Sequence, residues 1–222
     1  MNVLLFGATG MVGDAVLHEC LVDPRVDSVL AITRSPLASA HPKVRELLRS
    51  DFTQYRDLEQ ELARIDACFF CLGVTSVGLG EQEYRRLTFD LTLAAARALA
   101  EARPGAAFCY VSGEGTDGTG RSRSMWARVK GETENAVLAL PLNAYMFRPG
   151  IIRPRPGVRS KTRVYRIFYA MLGPLFPVLR MLAPSHVTTS ENLGRAMIRA
   201  AIVGYPKRVL ENDDINALGG AD

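Results

Sequence analysis

The sequence predicts an α/β fold: a doubly wound, mostly parallel sheet with helices on both faces and a small C-terminal lobe. Three observations predict it. Strand-like and helix-like segments alternate along most of the chain, which is the signature of successive βαβ units. Three glycines, Gly7, Gly10 and Gly13, stand between an apolar strand signal and an amphipathic helix signal. The chain has 222 residues, 48% of them hydrophobic, which suits one domain of this class and is short for two.

Taken in order, the first strand is Asn2–Phe6. A helix starts at Gly10 or Met11, carries Val12, Ala15, Val16 and Cys20 on one face, and stops before Asp23-Pro24, because the residue before a proline is pushed out of the helical region. Strands follow at Ser28–Thr33, at Val44–Leu48 (leading to Asp51-Phe52) and at Ala67–Leu72. A long Ala- and Leu-rich helix spans Gln82 to Ala102, then comes the strand Ala107–Ser112. A helix from Ser124 to Leu138 leads into the strand Asn143–Phe147 and then Arg148-Pro149-Gly150. A last helix, Glu191–Val203, precedes a short end piece. The expected organisation is one domain over residues 1–222, with 151–190 elaborated as a substrate or lid segment.

The net charge is only +4, yet no Asp or Glu occurs between Glu134 and Glu191. Arg148, Arg153, Arg155, Arg159, Lys161, Arg163, Arg166 and Arg180 fall in that gap and predict a local basic field. No nucleic-acid-binding module accompanies them, so nucleic acid is not an expected partner. Ile167 to Leu179 is uncharged and apolar, too short to span a bilayer and interrupted by Pro174 and Pro177. Two readings fit it. Val164, Ile167, Phe168, Met171, Leu172 and Leu175 have the spacing of a helix face packed over a site, which suits an apolar small-molecule substrate. Alternatively the segment 163–183, with its arginines, rests peripherally on an anionic membrane.

The N-terminus runs straight into a strand without a secretory signal, and the expected compartment is cytoplasmic. Cys20, Cys68, Cys71 and Cys109 read as core thiols, because a spacing of three on a strand sends Cys68 and Cys71 to opposite faces. His18, His41 and His186 are scattered, and no metal site is expected.

The loop Gly7-Ala8-Thr9-Gly10-Met11-Val12-Gly13 carries the chemistry. A strand ending in glycines and opening a helix aims backbone N–H groups and the positive helix end at a pyrophosphate. Its context between Val3-Leu4-Leu5-Phe6 and a helix predicts a Rossmann dinucleotide site. The second strand discriminates between cofactors. NAD sites place an acid there, about 20 residues past the loop, for the ribose 2′-hydroxyl. This strand ends Ile32-Thr33-Arg34-Ser35, and Arg34 suits a 2′-phosphate, so NADP(H) is favoured over NAD(H).

With these motifs the chain resembles the short-chain dehydrogenase/reductases, and within them the atypical branch that includes NmrA-like and Tat-interacting-protein-like proteins. The resemblance extends through Asp51-Phe52, Cys71-Leu72-Gly73, Tyr110-Val111-Ser112, Lys130-Gly131-Glu132 and Arg148-Pro149-Gly150. It implies that Asp51 and Phe52 meet the adenine, that Leu72 and Gly73 lie against the adenosine ribose, and that Pro149 joins Gly7, Thr9, Gly10, Met11, Val12 and Gly13 around the cofactor. It also implies catalysis by a Ser after the fifth strand and a Tyr-x-x-x-Lys on the next helix. Ser112 and Lys130 match the outer two positions, but Trp126 stands where the Tyr belongs. Trp126 and Lys130 share a helix face, yet an indole N–H only donates a hydrogen bond and does not titrate. Thr88 likewise stands where related enzymes often place an Asn.

Three readings follow. Ser112 and Lys130 support hydride transfer with a proton from water or another side chain; a quinone- or flavin-like acceptor is reduced without a Tyr; or the protein binds the nucleotide and is catalytically silent. The expected activity is an NADP(H)-dependent oxidoreductase on an apolar carbonyl or quinone-like compound, with a nucleotide-binding regulator as the alternative.

Overall fold

The computed structural model describes residues 1–38, 40–155, 181 and 183–220. Seven strands form one sheet: β1 (Asn2–Phe6), β2 (Ser28–Thr33), β3 (Val44–Leu48), β4 (Ala67–Phe70), β5 (Ala107–Val111), β6 (Asn143–Arg148) and β9 (Val209–Glu211). Their spatial order is β3-β2-β1-β4-β5-β6-β9, and every pairing is parallel. A parallel sheet is covered on both faces, which is why its inner strands read as continuous apolar runs. The period of two is kept inside those runs. Val3, Leu5, Ala67 and Phe69 enter one core layer, while Leu4, Phe6, Cys68 and Phe70 enter the other.

The first layer is covered by α1 (Met11–Val22), α6 (Ser190–Val203) and α7 (Asn212–Gly220). A side chain at Gly194 would come within 2.8 Å of Glu19 Cγ, so glycine lets α6 cross tightly over α1. The second layer is covered by α2 (Glu59–Leu62), α4 (Leu91–Ala102) and α5 (Met125–Leu138). The long helix expected from Gln82 to Ala102 is α3 (Glu81–Arg85) and α4 joined by a π-helical turn, Arg86–Asp90. Inside that turn Thr88 is buried, and its carbonyl accepts the Thr92 hydroxyl at 2.5 Å. A short second sheet pairs β7 (Ile151–Arg153) with β8 (Val187–Thr189).

Strand β4 ends at Phe70 rather than Leu72 because the backbone of Cys71 and Leu72 is pressed against the glycine loop. Among the described residues, no helix is long and apolar enough to cross a membrane. The apolar run Ile167–Leu179 lies outside the described residues, as do Arg159, Lys161, Arg163, Arg166, Arg180 and most of the 163–183 segment expected to meet a membrane.

Candidate functional site

Strand order reverses between β1 and β4, and parallel α/β sheets bind ligands at such a reversal, beyond the carboxyl ends of the strands. The glycine loop leaves β1 at that point. Gly7 has φ +81°, and a Cβ there would lie 2.6 Å from the Cys71 carbonyl oxygen. A Cβ on Gly13 would lie 2.1 Å from the Gly7 carbonyl oxygen. Gly10 closes the turn, its N–H donating to Gly7 O at 2.8 Å. It is also the N-cap of α1, with no side chain capping the helix. The Asp14 amide is bonded back to Gly10 O at 2.8 Å, whereas the amides of Met11, Val12 and Gly13 precede the first helical hydrogen bond. Bare donors at a helix start fit an anionic group.

Beside this loop is a cavity of about 230 Å³ lined by Ala8, Thr9, Asp14, Leu17, Pro36 and Leu37. Asp14 Oδ2 is buried there without a hydrogen-bond partner, an acceptor that a ligand hydroxyl would satisfy. Arg34 is exposed at the end of β2, just before the cavity wall. Asp51 is exposed and accepts the Thr53 amide at 2.8 Å and its hydroxyl at 2.7 Å, bonds that hold its carboxyl below the usual carboxylate range. The Phe52 ring is buried and packs 6.1 Å from Phe6. Gly73 faces open space, and no atom lies within 4 Å of where a Cβ on it would stand. A larger cavity, near Asn2, Ser28, Arg45, Glu61 and Arg64, opens at the amino ends of the strands, away from the glycine loop.

On the other side of the reversal, Lys130 donates to the Ser112 carbonyl oxygen. Desolvation pulls its ammonium down to about 8, and the negative charge of Glu134 opposes that fall. The Ser112 hydroxyl, however, is turned inward. It is buried, donates to Glu134 Oε1 at 2.5 Å and lies 3.2 Å from Phe147 O. In this geometry it is not offered to a ligand, which departs from the substrate-orienting position the sequence suggested. Trp126 is half-buried, its ring over Gly115, where a Cβ would stand 3.4 Å from Cη2. Pro149 is buried, and its carbonyl accepts the Glu114 amide at 2.9 Å. Tyr84 and Tyr110 are sealed in the core, and burial drives the Tyr110 phenol further up from its ordinary range.

Glu134 is the residue that sequence reasoning missed. It is 1% exposed and is clasped by Arg148 through Nη2 to Oε2 and through Nε to Oε1 at 3.0 Å. Its spacing of four from Lys130 was the available signal. Arg148 also reaches Glu211 at 3.0 Å. The basic field expected from the acid-free stretch is therefore neutralised at Arg148, because Glu134 and Glu211, from outside that stretch, fold onto it. The thiols behave as the strand spacing predicts, with Cys68 in one core layer and Cys71 against the other. Burial raises both thiols above the ordinary range, and all four cysteines are free. Among the described residues no group of three metal-ligating side chains gathers.

The model of the NAD dependent epimerase/dehydratase family matches residues 3–132. The chain belongs to that family. A relative of this epimerase/dehydratase member, "Protein fmp52, mitochondrial" of Emericella nidulans, is 30% identical over 210 residues, covering 90% of this chain and 87% of its own. Two solved structures share the fold. One is MoeE5 in complex with UDP-glucose and NAD, with TM-score 0.66 and 18% identity, covering 99% of this chain and 81% of its own. The other is the Bordetella bronchiseptica enzyme WbmF in complex with NAD+, with TM-score 0.67 and 15% identity, covering 99% and 78%. The fmp52 name overturns the expectation of a cytoplasmic compartment. Free thiols mark a reducing environment and do not single out the cytosol, so the cysteines could not decide the matter.

Proposed function

We propose that this family member binds NADP(H) in preference to NAD(H) and is an oxidoreductase acting on an apolar carbonyl or quinone-like small molecule. The observation that carries the reading is that the candidate residues share one end of the sheet. The bare amide end of α1, Arg34, Gly73, Lys130 and Pro149 all lie around the carboxyl ends of neighbouring strands. In this reading the α1 amides take the pyrophosphate, and Arg34 takes the 2′-phosphate through charge-assisted bonds. When bound, the nicotinamide supplies or accepts a hydride. Lys130 is held at that end of the sheet by the Ser112 carbonyl and offers its remaining N–H groups to the nicotinamide ribose. Ser112 serves as an anchor between β5 and α5 through Glu134. Trp126 orients a substrate oxygen with its indole N–H and leaves the proton to another group.

Calorimetric titration tests the cofactor assignment. The wild-type chain is expected to bind NADPH about tenfold to a hundredfold more tightly than NADH, the value of one or two charged hydrogen bonds. Arg34→Ala is expected to remove most of that preference. Equal affinity of the wild-type chain for both nucleotides would sink it.

A second reading, a catalytically silent nucleotide-binding regulator, is favoured by Trp126 in the Tyr position and by the inward Ser112 hydroxyl. NADPH oxidation against a panel of aldehydes, ketones and quinones separates the two. Turnover by the wild-type chain is expected from the oxidoreductase reading. Turnover confined to Trp126→Tyr would show a competent scaffold silenced by the Trp, and binding without turnover in both forms would leave the regulator.

A further inference from the structure

His186 Nδ1 meets Glu114 Oε1 across 72 residues of sequence. The pair is exposed, with side-chain exposures of 58% and 42%, and exposed ion pairs contribute little to stability. The chain nevertheless builds around it. Gly150 lies beneath both partners: a Cβ there would stand 2.3 Å from the His186 carbonyl oxygen and 2.7 Å from Glu114 Oε2. Only glycine lets the two meet. Glu114 is fixed by its backbone N–H, which donates to Pro149 O at 2.9 Å. His186 is fixed from the other side, where Asn212 accepts the Gly150 amide at 3.0 Å and donates to Val187 O at 3.1 Å. Asn216 also donates to Val187 O, at 2.8 Å.

The pair also adjoins the contact between Ser112 and Lys130. Glu114 comes two residues after Ser112, whose carbonyl holds Lys130. The intervening Gly113 has a vacant Cβ position 4.0 Å from both Lys130 Nζ and Pro149 O. Gly115, the next residue after Glu114, carries the Trp126 ring.

We infer that His186, oriented by Glu114, is the proton donor that Trp126 cannot be. This rests on the oxidoreductase reading above. With Nδ1 on the carboxylate, Nε2 is the ring nitrogen left free of that bond, and a carboxylate partner fixes which ring nitrogen it is. In carbonyl reduction, the carbonyl carbon accepts a hydride with its two electrons from the reduced nicotinamide, which is thereby oxidised. The carbonyl π pair moves onto oxygen, and that oxygen takes the proton from Nε2. The neutral imidazole regains a proton from solvent, to which it is open. Among the described residues Glu114, from the β5 loop, bonds the His186 ring; the neutral amides of Asn212 and Asn216 from α7 bond the adjacent carbonyls of Val187 and Pro184, and Lys130 stands behind Gly113.

The test uses the full chain, with His186→Gln and Glu114→Gln, and three readouts. NADPH affinity, by calorimetry, is expected to stay within about twofold in both variants. Nitrogen-15 NMR of the histidine rings is expected to show a hydrogen-bonded Nδ1–H signal for His186 in wild type and its loss in Glu114→Gln, with the His18 and His41 signals unchanged. NADPH turnover on the carbonyl panel between pH 5.5 and 9 is expected to drop about a hundredfold at pH 7 in His186→Gln, the ordinary contribution of a general acid, with loss of the wild-type fall in rate at high pH. Failure of the wild-type chain to bind NADPH sinks the cofactor reading, and the inference with it. NADPH binding with normal turnover and an unchanged pH profile in His186→Gln overturns the inference alone. A His186 Nδ1–H signal unchanged in Glu114→Gln overturns the dyad, and a wild-type chain that binds NADPH but reduces nothing overturns the proton-donor assignment.

Discussion

Gly13→Ala is expected to weaken NADPH binding about a hundredfold, equivalent to about 2.8 kcal/mol. The added methyl would sit 2.1 Å from Gly7 O, 2.5 Å from Gly7 C and 2.9 Å from Ala8 N. All three are backbone atoms, so no side chain can swing away to relieve the overlap. Either α1 moves off the loop or the loop moves off α1, and both displace the amides of Met11, Val12 and Gly13 from a common anion. Overpacking of this kind also costs about 1–3 kcal/mol of stability. Gly73→Ala supplies the contrast, because its methyl enters open space. Its melting temperature is expected to match wild type while NADPH affinity falls, as a ligand at that loop would be displaced. Unchanged NADPH affinity in Gly13→Ala would refute the placement of the pyrophosphate.

Glu134→Gln is expected to be the most destabilising single change at the β5–β6 end of the sheet. The carboxylate is buried, bonded by Arg148 through two nitrogens, and accepts the Ser112 hydroxyl. Removing one partner of a buried pair leaves an uncompensated charge and costs about 3–5 kcal/mol. Arg148 retains Glu211 on its more exposed side, which places the expected loss at the lower end, about 3 kcal/mol. For a chain of this size that corresponds to a fall in melting temperature of roughly 6–12 °C. Urea unfolding should show a lower midpoint with an unchanged slope. A midpoint equal to wild type would mean that the pair is replaced by solvent without penalty.

The strands of the main sheet were legible where burial on both faces makes long apolar runs, as in Val3-Leu4-Leu5-Phe6 and Ala107-Phe108-Cys109-Tyr110. Helix α5 was legible from its periodicity, and α1 from the proline that follows it. Strands β7, β8 and β9 were not, because three residues are too few to display an alternation. The π-helical turn was also invisible, since Thr88 and Thr92 at a spacing of four look like any helical pair. In the candidate site, the glycine loop could be read because each glycine answers a local backbone demand. Glu134 with Arg148, and Glu114 with His186, could not be paired, because 14 and 72 residues separate them and only the fold brings them together. The inward turn of Ser112 follows from the same cause: its partner lies on a helix that a motif at β5 does not include.

The seventh strand has a consequence for synthesis. Arg148 and Glu211 are 63 positions apart, and β9 docks beside β6 through Met146, Phe147 and Arg148. At about 5–20 residues per second, the ribosome needs roughly 3 to 13 seconds to travel from one partner to the other. For that interval β6 is an open sheet edge, with apolar Met146 and Phe147 lacking their neighbour, and such edges invite pairing with other chains. The nascent protein must be protected at this edge after its nucleotide-binding half has already emerged.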